Sequence, residues 1–327
     1  MKMKKTTQMK RVVAGGITLL AGLVLAACGS ESSADDGSIN VGVLQFMEHE
    51  SLSSARKGFL AELEDAGYKE GENLTVDYQN AQGDQANLQS MSQQLVGENE
   101  VILSIATPAA QSLANETSED PILFTAVTDA VDAGLVDSNE APGRNVTGTS
   151  DMVPIEQQIA LLLSIVPEAE TIGIIYNAGE PNSEIQASLA IEALEAKGVT
   201  VEALTVASTN DVQQVLTTLA QDVDGLYIPT DNTLASTAAT VGNIAIEYQL
   251  PVVAGSAEQV EAGGLATYGI NYEKLGRQTA KMALQIIEEG ANPADIAVET
   301  SDSLELVVNK EMAEALGIDP DSITLPE

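Results

Sequence analysis

The chain is poor in the residues that most often carry chemistry. Of its 327 residues one is cysteine, one is histidine, none is tryptophan and three are phenylalanine. A lone cysteine, Cys28, excludes an internal disulfide, a two-thiol acid–base pair and a thiolate metal site. A lone histidine, His49, excludes any site needing two imidazoles, and its neighbours Glu48 and Glu50 are adjacent residues that seldom converge on one ion. A hydrolase triad would need His49 beside an activated serine, yet no Gly-x-Ser-x-Gly elbow occurs. Neither Gly-x-Gly-x-x-Gly nor Gly-x-x-x-x-Gly-Lys occurs either, so a phosphate cradle is missing. These absences argue against an enzyme and imply no cofactor and no metal.

Positive charge is scarce as well. Fourteen Lys and Arg face 49 Asp and Glu, a formal net charge of -35, and five of the basic residues lie within the first eleven positions. Such a surface repels nucleic acid. Its simplest reading is a solvated acidic exterior.

What is present begins with MKMKKTTQMKR, a basic flank, followed by VVAGGITLLAGLVLAA, an apolar run shorter than the roughly 20 residues that span a bilayer. Leu25-Ala26-Ala27-Cys28 closes it and resembles a bacterial lipobox, in which the cysteine is acylated and cleavage falls just before it. A signal peptide over 1–27, a lipid on Cys28 and a flexible acidic tether over 28–38 are the expectation, with the protein held on the outer face of the membrane.

From Ser38 onward, short apolar β-type runs alternate with amphipathic segments. INVGVLQF (39–46) reads as a buried strand. Leu52, Ala55, Phe59, Leu63 and Ala66 share one face of a helix over 52–67. A second βα series starts near 154, a long helix is expected over 272–289, and LELVV (304–308) reads as a final strand. This rhythm predicts an α/β fold of two doubly wound parallel-sheet lobes joined by a hinge. The stretch 137–154, rich in Gly, Pro, Asn and Ser, reads as one crossing between lobes, and the chain near 263–278 as another. The expected division puts 39–148 and 271–298 in one lobe, and 149–270 and 299–327 in the other. Ligands of open parallel sheets bind beyond the carboxyl ends of the strands. The residues there are Gln45, Glu48 and His49, Asn80 to Asp84, Thr107, and Thr125 to Asp129 with Thr128 among them. In the second series they are Asn177, Glu180, Asn182, Ser183, Asp231, Asn232 and Ser256.

Seven blocks carry a family resemblance: VGVLQFMEHESLSSARKGF, SIATPAAQ, TAVTDAVDAGLV, NVTGTSDMVP, IYNAGEPNS, YIPTDNT and YGINYEKLGRQTAKMA. They resemble the ABC-transporter substrate-binding lipoproteins of the tryptophan/tyrosine type. The resemblance implies the type I periplasmic-binding-protein fold, a monomer, a small ligand in the cleft, and partners in a permease and its ATPase. An amino acid is the ligand class it favours, an aromatic one first. A nucleoside, sugar or peptide on the same fold, or a surface sensor without transport, are the alternatives. Glu50 stands where the family would place proline.

An amino acid needs donors for its carboxylate and an acceptor for its ammonium. The Thr107 hydroxyl could serve the first, or could simply cap a helix. Glu180 and Asp231 are candidates for the second, or for helix-start acids. Asn182 and Ser183 could bind or cap, and His49 could line the pocket or cap the first helix. Phe46, Phe124, Tyr176, Tyr227 and Tyr268 lie near strand ends, where they would be either pocket wall or core.

Overall fold

The computed structural model describes residues 38–326. The expected signal peptide, Cys28 and all of the tether but Ser38 therefore lie outside the described residues.

The first series runs β1 (Ile39–Gln45), α1 (Glu50–Asp65), β2 (Leu74–Asn80), α2 (Gln85–Leu95), β3 (Val101–Ile105), α3 (Thr107–Glu116), β4 (Ile122–Val127) and β5 (Val146–Ser150). The second runs α4 (Ile155–Ile165), β6 (Thr171–Asn177), α5 (Pro181–Glu195), β7 (Thr200–Val206), α6 (Thr209–Leu219), β8 (Gly225–Ile228), α7 (Asn232–Ser236), α8 (Ala238–Tyr248), β9 (Val252–Ala254), α9 (Ala257–Ala262) and β10 (Ala266–Ile270). Toward the C-terminus follow α10 (Tyr272–Glu289), β11 (Glu299–Thr300), β12 (Leu304–Val308) and α11 (Lys310–Ala315), with short 3-10 turns at Pro293–Asp295 and Pro320–Ser322. Among the described residues no helix is long and apolar enough to cross a membrane.

Two six-stranded sheets result, ordered β11-β5-β4-β3-β1-β2 and β12-β10-β9-β8-β6-β7. The first is parallel throughout, and in the second only β12 runs antiparallel, beside β10. Helices cover both faces of such sheets, which is why β3 and β4 are buried at every position and read as continuous apolar runs. The edge strands β2 and β7 keep exposed positions instead.

The chain passes between the sheets at three places: after β5, between β10 and α10, and between β11 and β12. β11 at 299–300 pairs with β5 and so belongs to the first sheet. The stretch 137–154, read from composition as a crossing, contains β5 as well. VTGTS hides its strand character behind Gly148, where a Cβ would come within 2.0 Å of the Phe124 carbonyl oxygen, so only glycine lets β4 and β5 approach this closely.

α10 returns the chain to the first lobe and packs on α1 through another close approach. A Cβ on Gly58 would lie 1.9 Å from the Glu273 carbonyl oxygen, and one on Gly276 would lie 1.9 Å from that of Ala55. α1 begins at Glu50, two residues ahead of the expected start. Glu50 takes up the place expected for proline without disturbing the helix, because an acid in the first turn suits the helix dipole.

Candidate functional site

The carboxyl ends of β1 and β4 in one sheet, and of β6, β8 and β9 in the other, face a common cleft. A small cavity lies there, with room for about one water molecule. The first lobe contributes His49, Ser51, Leu52 and Ala126 to its wall. The crossings contribute Asp151 and Tyr272, and the second lobe contributes Asn182, Thr230, Asp231, Asn232, Ala235, Ser256 and Gln259. Backbone strain gathers on the first-lobe side. Ala126 sits at φ 59°, where the β4–β5 register shifts between Phe124 and Val127, and Ala106, just after β3, sits at φ 84°. Residues held in such conformations cluster at ligand sites, because the surrounding structure must over-determine them.

Among the described residues, several side-chain bonds join the lobes directly, including the Lys274–Glu305 ion pair at 3.6 Å. His49 Nε2 lies 3.1 Å from Asn232 Oδ1, Ser51 Oγ lies 3.3 Å from Ser256 Oγ, and Gln186 Nε2 donates to Thr128 Oγ1 at 3.0 Å. The lobes are therefore closed on each other.

Asp151 is the best-placed carboxylate. It is buried, follows β5 and accepts from Thr128 Oγ1 at 3.0 Å and from the Tyr272 hydroxyl at 2.6 Å. Burial holds its carboxyl above the usual range, and the bonds from Tyr272 and Thr128 offset part of that shift. Three buried polar atoms on other wall residues lack any protein partner: His49 Nδ1, Asn182 Oδ1 and Gln259 Oε1. The two amide oxygens only accept. Buried polar atoms are normally satisfied, so a cluster of unmet acceptors in one cavity marks a place for a ligand with N–H or O–H donors.

Several residues expected in the site prove to be scaffolding. The Glu180 carboxylate accepts from Asn177, Asn232 and Thr233 side chains and from the Asn232 and Thr233 backbone N–H groups, all within its own lobe. It has no capacity left for a ligand ammonium. Asp231 reaches the cavity wall, but as the N-cap of α7 it accepts from Leu234 N at 2.8 Å and from Asn177 N at 2.7 Å. Burial, then the neighbouring Glu180 carboxylate, raises its carboxyl. Asn177 is spent on Thr233 and Asp231. Glu48 is exposed and bonds Ser53, Tyr78 and Asn80, while Gln45 bonds Met47 O and Tyr78; neither lines the cavity. Thr125 accepts from the Thr149 hydroxyl at 3.2 Å and does not line the cavity.

Capping expectations change too. Ala106, not Thr107, is the N-cap of α3, and the buried Thr107 Oγ1 is unpartnered without lining the cavity. Glu180 is the N-cap of α5, which places Asn182 and Ser183 inside the helix, with Asn182 on the wall and Ser183 behind it. His49 is the N-cap residue of α1 but makes no side-chain cap bond, whereas Ser256 does cap α9 while lining the cavity. Thr128 touches the site through Asp151. None of Phe46, Phe124, Tyr176, Tyr227 and Tyr268 is in the wall; Tyr227 and Phe124 are fully buried core.

Asp151, Tyr272, Gln259, Thr230 and Ser51 also line the cavity, though they are not among the residues expected there from the sequence. Asp151 directly follows the β5 strand that composition concealed. Tyr272 and Gln259 sit in helix starts whose amphipathic pattern reads as ordinary packing.

The model of a family described as ABC transporter substrate binding protein matches residues 40–325. A curated relative, the tyrosine-binding protein of Clostridioides difficile (strain R20291), is 40% identical over 278 residues, covering 85% of this chain and 80% of that one. The solved structure of an ABC domain from Streptococcus pneumonia in complex with L-Trp is 39% identical, with a TM-score of 0.82 over 89% of this chain and 96% of that chain. The ligand-free, open structure of a substrate binding protein with adhesive properties from Clostridium difficile is 41% identical, with a TM-score of 0.67 over 86% and 95%.

Proposed function

Because the chain belongs to the ABC transporter substrate binding protein family, we propose that it captures a free amino acid with an aromatic side chain between its lobes and hands it to a permease. The carrying observation is the acceptor-rich cavity: Asp151 together with the unpartnered His49 Nδ1, Asn182 Oδ1 and Gln259 Oε1. An ammonium has three N–H donors and a positive charge. Asp151 would supply charge-assisted hydrogen bonds to it away from bulk water. The Ser51–Ser256 hydroxyl pair, joined by one hydrogen bond, leaves a single proton to offer the carboxylate, and Leu52, Ala126 and Ala235 line the cavity with apolar surface.

Capture works by closure. The ligand makes contacts in both lobes at once, so it stabilises the closed form relative to the open one. The better superposition on the L-Trp complex than on the ligand-free open structure, at nearly equal identity, supports reading this arrangement as the closed one. The run Leu25-Ala26-Ala27-Cys28 supports a lipid anchor that holds the protein outside the membrane, beside the permease and its ATPase. Titration calorimetry with all the amino acids tests the reading. L-Tyrosine or L-tryptophan should bind, and a panel without a single binder would end it.

A further inference from the structure

We propose that His49 Nδ1 accepts a hydrogen bond from the ligand's ammonium, in a tautomer that Glu180 sets through Asn232 from the opposite lobe. The inference rests on the amino-acid capture proposed above and deepens it.

One chain of hydrogen bonds runs from Glu180 through Asn232 to His49. Glu180 accepts from Asn232 Nδ2, so the other end of that amide, Oδ1, faces away from the carboxylate. Oδ1 lies 3.1 Å from His49 Nε2. An amide oxygen can only accept, so Nε2 must carry the proton. A neutral imidazole carries one N–H, which leaves Nδ1 as a bare acceptor. Burial drives the ring toward that neutral form, pushing its pKa from 6.5 down to about 4.

Nδ1 is closed off from solvent and has no partner in the protein, on a residue that lines the cavity. A purely structural role does not absorb it. His49 caps α1 only through its carbonyl, which accepts from Ser53 N at 3.0 Å, and its side chain makes no cap bond. The one bond the ring makes crosses between lobes, so it forms when they meet. Closure thus prepares the acceptor on which the ligand closes. Glu180, which touches no ligand, becomes a positioning residue.

Only one histidine occurs in the sequence, so ¹⁵N-histidine labelling reports this ring alone. With L-tyrosine bound at neutral pH, the spectrum should show a protonated, pyrrole-type Nε2 and a pyridine-type Nδ1. The Nδ1 resonance should move further toward the hydrogen-bonded range with L-tyrosine than with 3-(4-hydroxyphenyl)propionate, which lacks the amine. Asn232→Ala should lose the tautomer preference and bind L-tyrosine about tenfold more weakly. An Nδ1–H tautomer or an imidazolium in the tyrosine complex overturns the proposal. So does an Nδ1 signal that ignores the ammonium while calorimetry still records binding, and in that case amino-acid capture stands. If calorimetry records no binding of L-tyrosine or L-tryptophan, capture fails and the inference falls with it.

Discussion

Tyr272 donates its hydroxyl to Asp151 Oδ2 at 2.6 Å, tying the first residue of α10 to the residue that follows β5. Both sit where the chain passes from one sheet to the other. The carboxylate proposed to receive the ligand's amine is thus held by the part of the molecule that must flex when the lobes move.

Replacing Asp151 with Asn keeps the volume and removes the charge. Amino-acid affinity should fall by about a hundredfold, the scale of a lost buried charge partner. The unliganded protein should melt no lower, because a buried carboxylate without a ligand is a burden rather than a support. Calorimetry and a thermal melt of the same sample separate the two effects. Unchanged affinity would assign the ammonium to another acceptor.

Ser51→Ala removes the Ser51–Ser256 bond between lobes and leaves Ser256 capping α9 through Gln259 N. Losing one neutral hydrogen bond should weaken ligand binding about three- to tenfold. Small-angle scattering should show a larger open fraction at sub-saturating ligand, with little change in the chemical denaturation midpoint.

Gly58→Ala and Gly276→Ala test the α1–α10 contact. Alanine is the better helix former by about 1 kcal/mol, yet each new methyl would press on a backbone carbonyl that cannot swing aside. The clash should win, destabilising each variant by about 1–3 kcal/mol. Urea unfolding measures it, and a stabilised variant would refute the close packing.

Glu258 is buried, with Oε1 accepting from Tyr272 N and Oε2 unpartnered, and burial raises its pKa from 4.5 to about 7. A carboxyl raised on folding contributes stability that is present below its unfolded pKa and lost as pH rises through its folded one. Stability should therefore fall between about pH 5 and pH 8, and Glu258→Gln should flatten that slope. Asp231, also raised, works in the same sense. His49, lowered from 6.5 to about 4, works in the opposite sense, losing its contribution as pH falls. Both remain in the variant, so the difference in slope belongs to Glu258. Urea midpoints across this range decide it, and identical slopes would contradict the burial cost.

Cys28→Ser should release the protein from the membrane fraction into the medium or periplasm of cells that express it. Labelling with a radioactive fatty acid should be lost in the same variant. Retention of the label would place the lipid elsewhere.

Much of the architecture was legible along the chain. The expected helix over 272–289 is α10, and LELVV is β12, since an amphipathic period of 3.6 and a short β-branched run each admit few alternatives. β5 was not legible, because VTGTS has the composition of a loop and becomes a strand only through the neighbour that Gly148 lets in. At the site, the strand-end rule reached His49, Asn182, Asp231, Asn232 and Ser256, which line the cavity. It also reached Glu180, Asn177 and Glu48, which do not.

The residue types and their periodicity determined two α/β lobes and narrowed the chemistry by leaving one thiol and one imidazole to work with. They could not determine which acid would be free. Asp151, Glu180 and Asp231 are alike in sequence, each a carboxylate near a strand end. Their roles diverge because Glu180 folds among five donors of its own lobe, which saturate it, and Asp231 is held as the cap of α7. Asp151 is left at the crossing with capacity to spare. Hydrogen-bond capacity is shared out by neighbours distant in sequence, so only the tertiary structure could assign it.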